Sequence, residues 1–281
     1  MKKWGCLLFL ILGIGFVSLS FFQKEVDIKT LKQLDKSTKM VDLRISAEIV
    51  FQGNLVLVNN EYPARKEYIR SDIVHIFQND HLMNGFSLLN NSIQLSEDIT
   101  QKFSKMVLAA ENNGVKNFII SSGYRNFDEQ ETLYKEMGAD YALPAGFSEH
   151  NLGLSLDVGS SVAKMEKAPE GKWIEKNAWK HGFILRYPKD KTQVTGIQYE
   201  PWHIRYVGLP HSAIIHEKNF ALEEYLDYLK TEKNLLVDFN GKKYQISYYP
   251  ITEQTTIQVP AKQEYDVSGN NIDGVIVTVY Q

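Results

Sequence analysis

The sequence predicts an α+β protein carrying a small β appendage at its C-terminal end. Two helical stripes of apolar residues start behind capping residues, Ser96 and Asn126. Two runs, 154–158 and 202–207, alternate apolar and polar positions as half-buried strands do. After Pro210 the texture changes to an amphipathic helix and an Asn-Gly hairpin signal.

The 281 residues, 43% of them hydrophobic, suffice for one substantial domain and an appendage without disulfides. Cys6 is the single cysteine, so no intrachain disulfide can form and any metal must be held by nitrogen and oxygen. A net charge of -3 without a long Lys/Arg run argues against a nucleic-acid partner. Trp4 to Phe22 is an apolar run long enough to span a bilayer, preceded by Lys2 and Lys3. It predicts an N-terminal membrane anchor over residues 1–23, with the rest of the chain outside the cell. A cleaved signal peptide is the alternative reading of the same segment. Residues 24–50 read as a stalk, 51–210 as the main domain, and 211–281 as a helix plus the β appendage.

Within the main domain, Leu55-Val56-Leu57-Val58 followed by Asn59-Asn60 predicts a short strand and turn. Residues 61–95 read as irregular. Ser96 caps a helix with Glu97 and Asp98 in its first turn and a stripe of Ile99, Phe103, Met106, Val107 and Ala110, ended by Gly114. Val115 to Ser121 is a buried strand running into Gly123-Tyr124-Arg125. Asn126 and Glu129 then form a capping-box pair for a helix closed by Gly138. Pro169 to His181 predicts another helix, Phe183 to Tyr187 another strand. In the appendage, Leu222, Tyr225, Leu226 and Leu229 mark a helix, and the hairpin at Asn240-Gly241 and runs at 257–260 and 275–280 mark strands.

Two pieces read together as one zinc site: His150 and Asp157 in the stretch 148–157, and Glu200 and His203 in Glu200-Pro201-Trp202-His203. Two imidazoles and one carboxylate can hold a hydrolytic Zn²⁺, and a second carboxylate beside it can act as base. A regular strand would point Glu200 and His203 to opposite faces, so a local bulge is expected. Arg125, at a helix start, suits a carboxylate or an oxyanion, although an exposed ion pair explains an isolated Arg as well. Each spacing alone is weak evidence.

Taken together, Ser121-Ser122-Gly123-Tyr124-Arg125, Ser148-x-His150-x-x-Gly153-x-x-x-Asp157 and Glu200-Pro201-Trp202-His203 closely resemble the VanY-type zinc D-alanyl-D-alanine carboxypeptidases, in the group that includes the VanX dipeptidases. The resemblance implies a compact zinc-peptidase fold with an antiparallel sheet, and one Zn²⁺ per chain held by His150, Asp157 and His203. It implies Glu200 as catalytic base, Arg125 as a carbonyl-polarising or carboxylate-binding residue, and Ser148 and Gln130 as substrate contacts. The implied reaction removes the C-terminal D-Ala, or D-lactate, from peptidoglycan precursor peptides ending in D-Ala-D-Ala, at the cell membrane and as part of glycopeptide resistance. Three alternatives stand beside it: a zinc L,D- or D,D-endopeptidase of the wall, a non-catalytic wall-binding module, and a penicillin-binding serine enzyme built on Ser161-x-x-Lys164.

Overall fold

The computed structural model describes residues 25–32, 39–139, 141–253 and 255–281. The expected anchor, residues 1–23, lies outside them, and none of the helices among the described residues is long and apolar enough to cross a membrane.

The main domain is built on a five-stranded sheet in the order Phe86–Leu88, Phe118–Ser122, Ser155–Ser160, His203–Tyr206, Phe183–Leu185. All neighbours are antiparallel except the first pair, which is parallel. The helix Glu97–Asn112 covers this sheet. The Ser96 hydroxyl accepts the Ile99 N–H as its cap, and the five stripe residues are all buried. Phe103 meets Phe86 and Phe183 edge-on, with ring centroids 5.2 and 6.4 Å away. This stripe therefore joins both edges of the sheet in one core. The second helix, Phe127–Met137, opens with the expected capping box between Asn126 and Glu129. Pro169–Asn177 is helical and tightens to a 3₁₀ turn, Ala178–His181, before left-handed Gly182.

A second five-stranded sheet, wholly antiparallel, has the order Val26–Thr30, Asn234–Phe239, Lys242–Pro250, Gly274–Tyr280, Tyr265–Gly269. Asn240 and Gly241 turn its hairpin with φ of 52° and 77°, the conformation the Asn-Gly pair favours. Its apolar face and the helix Leu222–Glu232 share a core with Trp179, Ile184 and Ala213–Ile215. The C-terminal part is thus fused to the main domain by a common hydrophobic cluster.

Three expectations give way here. The segment 24–50, expected as a stalk, contributes two strands to the body: Val26–Thr30 forms an edge of the C-terminal sheet, and Met40–Ile45 pairs with Thr255–Pro260. Both partners lie at the other end of the chain, so no local pattern reports them. Leu55 to Val58 are all buried, yet they form no strand. Their backbone groups are met singly: Leu55 N–H by Ser268 Oγ, the Val56 carbonyl by Arg205, and both polar groups of Leu57 by Asn270 and Asn271. Residues 61–95, expected as irregular, also include the short strands Ile73–His75, Phe86–Leu88 and Gln94–Ser96.

Candidate metal and catalytic site

The site follows from the register of two strands. Asp157 on Ser155–Ser160 stands directly opposite His203 on His203–Tyr206. Paired positions of an antiparallel ladder point to the same face, so their side chains meet. His203 Nδ1 lies 3.0 Å from Asp157 Oδ1. His150 arrives from the 3₁₀ turn Glu149–Leu152, where the Ser148 hydroxyl accepts the His150 N–H, and its Nε2 is 3.4 Å from Asp157 Oδ2. This turn can feed into the strand only through Gly153, which is left-handed at φ 75°. A Cβ there would stand 2.5 Å from Ile73 Cδ1.

Glu200 reaches the same face through a turn, not the expected bulge. The His203 N–H donates to the Glu200 carbonyl, and the Glu200 N–H to the Tyr187 carbonyl. Pro201 and Trp202 occupy the corner, and Glu200 Oε2 comes within 3.9 Å of His203 Nδ1. Burial, together with the Asp157 and Glu149 charges, raises the Glu200 pKa above the usual carboxylate value, against the pull of His203.

His150, Asp157 and His203 offer donor atoms that all lie within 4.8 Å of one another. The far nitrogen of each ring is also engaged. His150 Nδ1 faces the Gly123 carbonyl at 2.6 Å, and His203 Nε2 faces Glu149 Oε2 at 3.4 Å. Such partners fix ring orientation and tautomer in histidines that bind metals, so the group fits Zn²⁺. Desolvation opposes the charge of the half-buried Asp157, but His150 and His203 outweigh this and hold its pKa far below normal. Burial likewise opposes a charged His203, and the Asp157 and Glu149 carboxylates reverse the balance, raising its pKa to about 9.

Arg125 emerges at the end of Phe118–Ser122. Its Nη1 donates to Gln130 Oε1 at 2.6 Å and its Nη2 to Ser122 Oγ at 3.1 Å. Gln130 is itself buried and gives its amide N–H to the Leu143 carbonyl. Both ends of the Gln130 amide are therefore engaged within the protein. Gly123 is needed in the same turn, because a Cβ there would stand 2.2 Å from the Gln94 carbonyl oxygen. A groove of about 700 Å³ runs past Ser121, Ser160, Pro201 and Trp202. Ser161 and Lys164, the pair behind the serine-enzyme alternative, are exposed on its rim.

The sequence reading passed over Glu149, Arg186 and Arg205, all fully buried against one another next to His203. Signals existed: Glu149 lies inside the Ser148–His150 motif, and Arg205 shares a sheet face with His203 at two-residue spacing.

Residues 92–209 match the family model described as VanY: D-alanyl-D-alanine carboxypeptidase. A D-alanyl-D-alanine carboxypeptidase of Enterococcus faecium is 61% identical over 284 residues, spanning 98% of this chain and 94% of that protein. The chain belongs to the VanY D-alanyl-D-alanine carboxypeptidase family. Among solved structures, the vancomycin-resistance D,D-dipeptidase VanXYg, in complex with a D-Ala-D-Ala phosphinate analogue, has a TM-score of 0.75 and 29% identity. That match covers 86% of this chain and 100% of the other. A variant of VanY from a VanB-type resistance cassette, in complex with Zn(II), has a TM-score of 0.51 and 30% identity, covering 62% of this chain and 98% of that one. The VanY family assignment makes the chain a carboxypeptidase, and zinc suits the His-Asp-His group found here.

Proposed function

We propose that this VanY-family chain is a zinc D,D-carboxypeptidase that removes the terminal D-alanine from peptidoglycan precursor pentapeptides, and that it thereby contributes to vancomycin resistance. One observation carries the reading. The Asp157–His203 register and the Glu200 turn bring two imidazoles, one carboxylate and a separate, half-buried carboxylate to one face. A non-catalytic wall-binding module has no need of the last of these.

His150 Nε2, His203 Nδ1 and Asp157 would hold the metal. The chemistry a bound Zn²⁺ supplies is Lewis acidity, which polarises the scissile carbonyl and acidifies the attacking water. Glu200 takes the proton of that water on its carboxylate and returns it to the departing amine, a role favoured by its raised pKa. Arg125 binds the peptide's terminal carboxylate or the oxygen that gains charge during attack, held in place by Gln130 and Ser122. Ser148, at the head of the His150 turn, would contact the substrate. The Trp4–Phe22 run would anchor the chain in the cell membrane with the site outside. Shortening the stem peptide there deprives a glycopeptide of its D-Ala-D-Ala target.

Mass analysis of a muramyl pentapeptide after incubation, with and without chelator, tests the reading. Loss of a single D-alanine only without chelator is expected. Release of an internal fragment, or loss from an L,L-terminated control, would replace it with the endopeptidase or a different stereochemical class.

A further inference from the structure

Behind His203, away from Asp157, lies a file of charges, buried at Glu149, Arg186 and Arg205 and half-buried at Glu223, that the reaction does not use. Glu149 Oε1 accepts from Arg186 Nε at 2.8 Å and from Arg205 Nη1 at 2.7 Å. Its other oxygen, Oε2, accepts from Ser155 Oγ at 3.0 Å and faces His203 Nε2 at 3.4 Å. Arg186 also spends both terminal nitrogens on Glu223, at 2.9 and 2.7 Å. Glu223 sits in the first turn of the helix Leu222–Glu232, beyond the main domain. Two carboxylates balance two guanidinium groups, so the file is neutral and every charge in it is paired.

An imidazole that gives a metal the lone pair of Nδ1 must carry its proton on Nε2. Glu149 accepts that proton's hydrogen bond, and the two arginines keep it ionised and fixed by occupying its other oxygen. His150 is held differently, through a backbone carbonyl that no side-chain substitution removes. We propose that Glu149 is a positioning residue that fixes His203 with its proton on Nε2 and Nδ1 toward the metal. We propose further that Glu223, acting through Arg186, makes the C-terminal helix part of what sets zinc affinity. This rests on the reading of His150, Asp157 and His203 as ligands.

The test compares full-length Glu149→Gln, Glu223→Gln and His203→Ala without substrate, using zinc affinity by chelator competition and ¹⁵N NMR of the imidazoles. In Glu149→Gln the arginines claim the amide oxygen, so the NH₂ faces His203. Zinc binding should weaken about 10- to 100-fold. In the zinc-free protein at alkaline pH, the neutral His203 should then carry its proton on Nδ1, while His150 keeps the wild-type signature. Glu223→Gln should weaken zinc binding about 2- to 30-fold, as is usual for a residue coupled through a network. A folded Glu149→Gln with wild-type affinity and tautomer overturns the positioning role. Wild-type affinity in Glu223→Gln overturns the link to the helix, and that variant alone decides if Glu149→Gln does not fold. Unchanged zinc binding in His203→Ala would instead overturn the ligand assignment beneath both.

Discussion

Replacing Glu200 by Gln separates the base from the ligands. Glu200 Oε2 stands 3.9 Å from His203 Nδ1, and the three donors that cluster within 4.8 Å do not include it. The substitution keeps the side chain's shape in a turn fixed by backbone hydrogen bonds to Tyr187 and from His203, so fold and zinc content should be those of the wild type. Turnover should not be. An amide cannot take a proton from water, and losing a positioned base costs about 10²- to 10⁴-fold in rate. At 1.36 kcal/mol per tenfold, that is about 2.7 to 5.4 kcal/mol of transition-state stabilisation. D-Alanine release from a pentapeptide gives the rate, and atomic absorption gives the zinc. Zinc lost from Glu200→Gln but kept in His203→Ala would mean that ligand and base have been exchanged. A zinc-loaded Glu200→Gln with near-wild-type turnover would place the base on another residue.

The other expectations are independent of that one. His203→Ala and His150→Ala should each lose zinc and activity together, measured by metal analysis beside D-alanine release, because each removes one of three donors. A chelator should abolish activity and added Zn²⁺ restore it. Penicillin should neither inhibit nor label Ser161, and labelling there would revive the serine alternative. Arg125→Ala should retain zinc and lose about 2.7–4 kcal/mol in kcat/KM if the guanidinium meets an oxyanion. Gln130→Ala should lose less in the same assay, since Arg125 keeps its bond to Ser122 Oγ while it loses one acceptor and the Leu143 carbonyl loses a donor, and an effect as large as that of Arg125→Ala would make Gln130 itself a substrate contact. Asp72 gives a pH test of stability. Burial opposes its charge, but Arg70, the Ser96 hydroxyl and the Asp98 N–H outweigh that and lower its pKa from 3.8 to about 2. The stabilisation is therefore complete above the unfolded value and disappears as pH falls through the folded one. After allowance for solvent screening, Asp72→Asn should destabilise by about 1–2 kcal/mol at neutral pH and by almost nothing near pH 2, measured by urea unfolding.

What the sequence made legible was what it encodes locally. The Ser96 cap and its stripe depend on neighbours within a few turns, and they appear in the structure as read. Asp157 and His203 were legible for a related reason: each lies on the polar face of an alternating run, and two such faces in one sheet need only the right register to meet. The Glu200 corner was misread because a proline before a strand is compatible with a bulge or a turn, and the deciding bond, from the Glu200 N–H to the Tyr187 carbonyl, is tertiary. Leu55 to Val58 show the strand pattern but are held by an arginine and a distant turn. Glu149, Arg186, Arg205 and Glu223 come from four separate stretches. Only folding shows that these charges neutralise one another in the interior.

The two strands at the start of the described chain also constrain the order of events during synthesis. Val26–Thr30 can pair only with Asn234–Phe239, and Met40–Ile45 only with Thr255–Pro260, so neither has a partner until nearly the whole polypeptide has been made. Closing such distant pairings is slow and comes late. In a protein begun at residue 51, the Asn234–Phe239 edge and the Thr255–Pro260 strand would lack the partners they have here, and unpaired strand edges invite aggregation. A shortened form that keeps both strands should start no later than Glu25, just before the first strand.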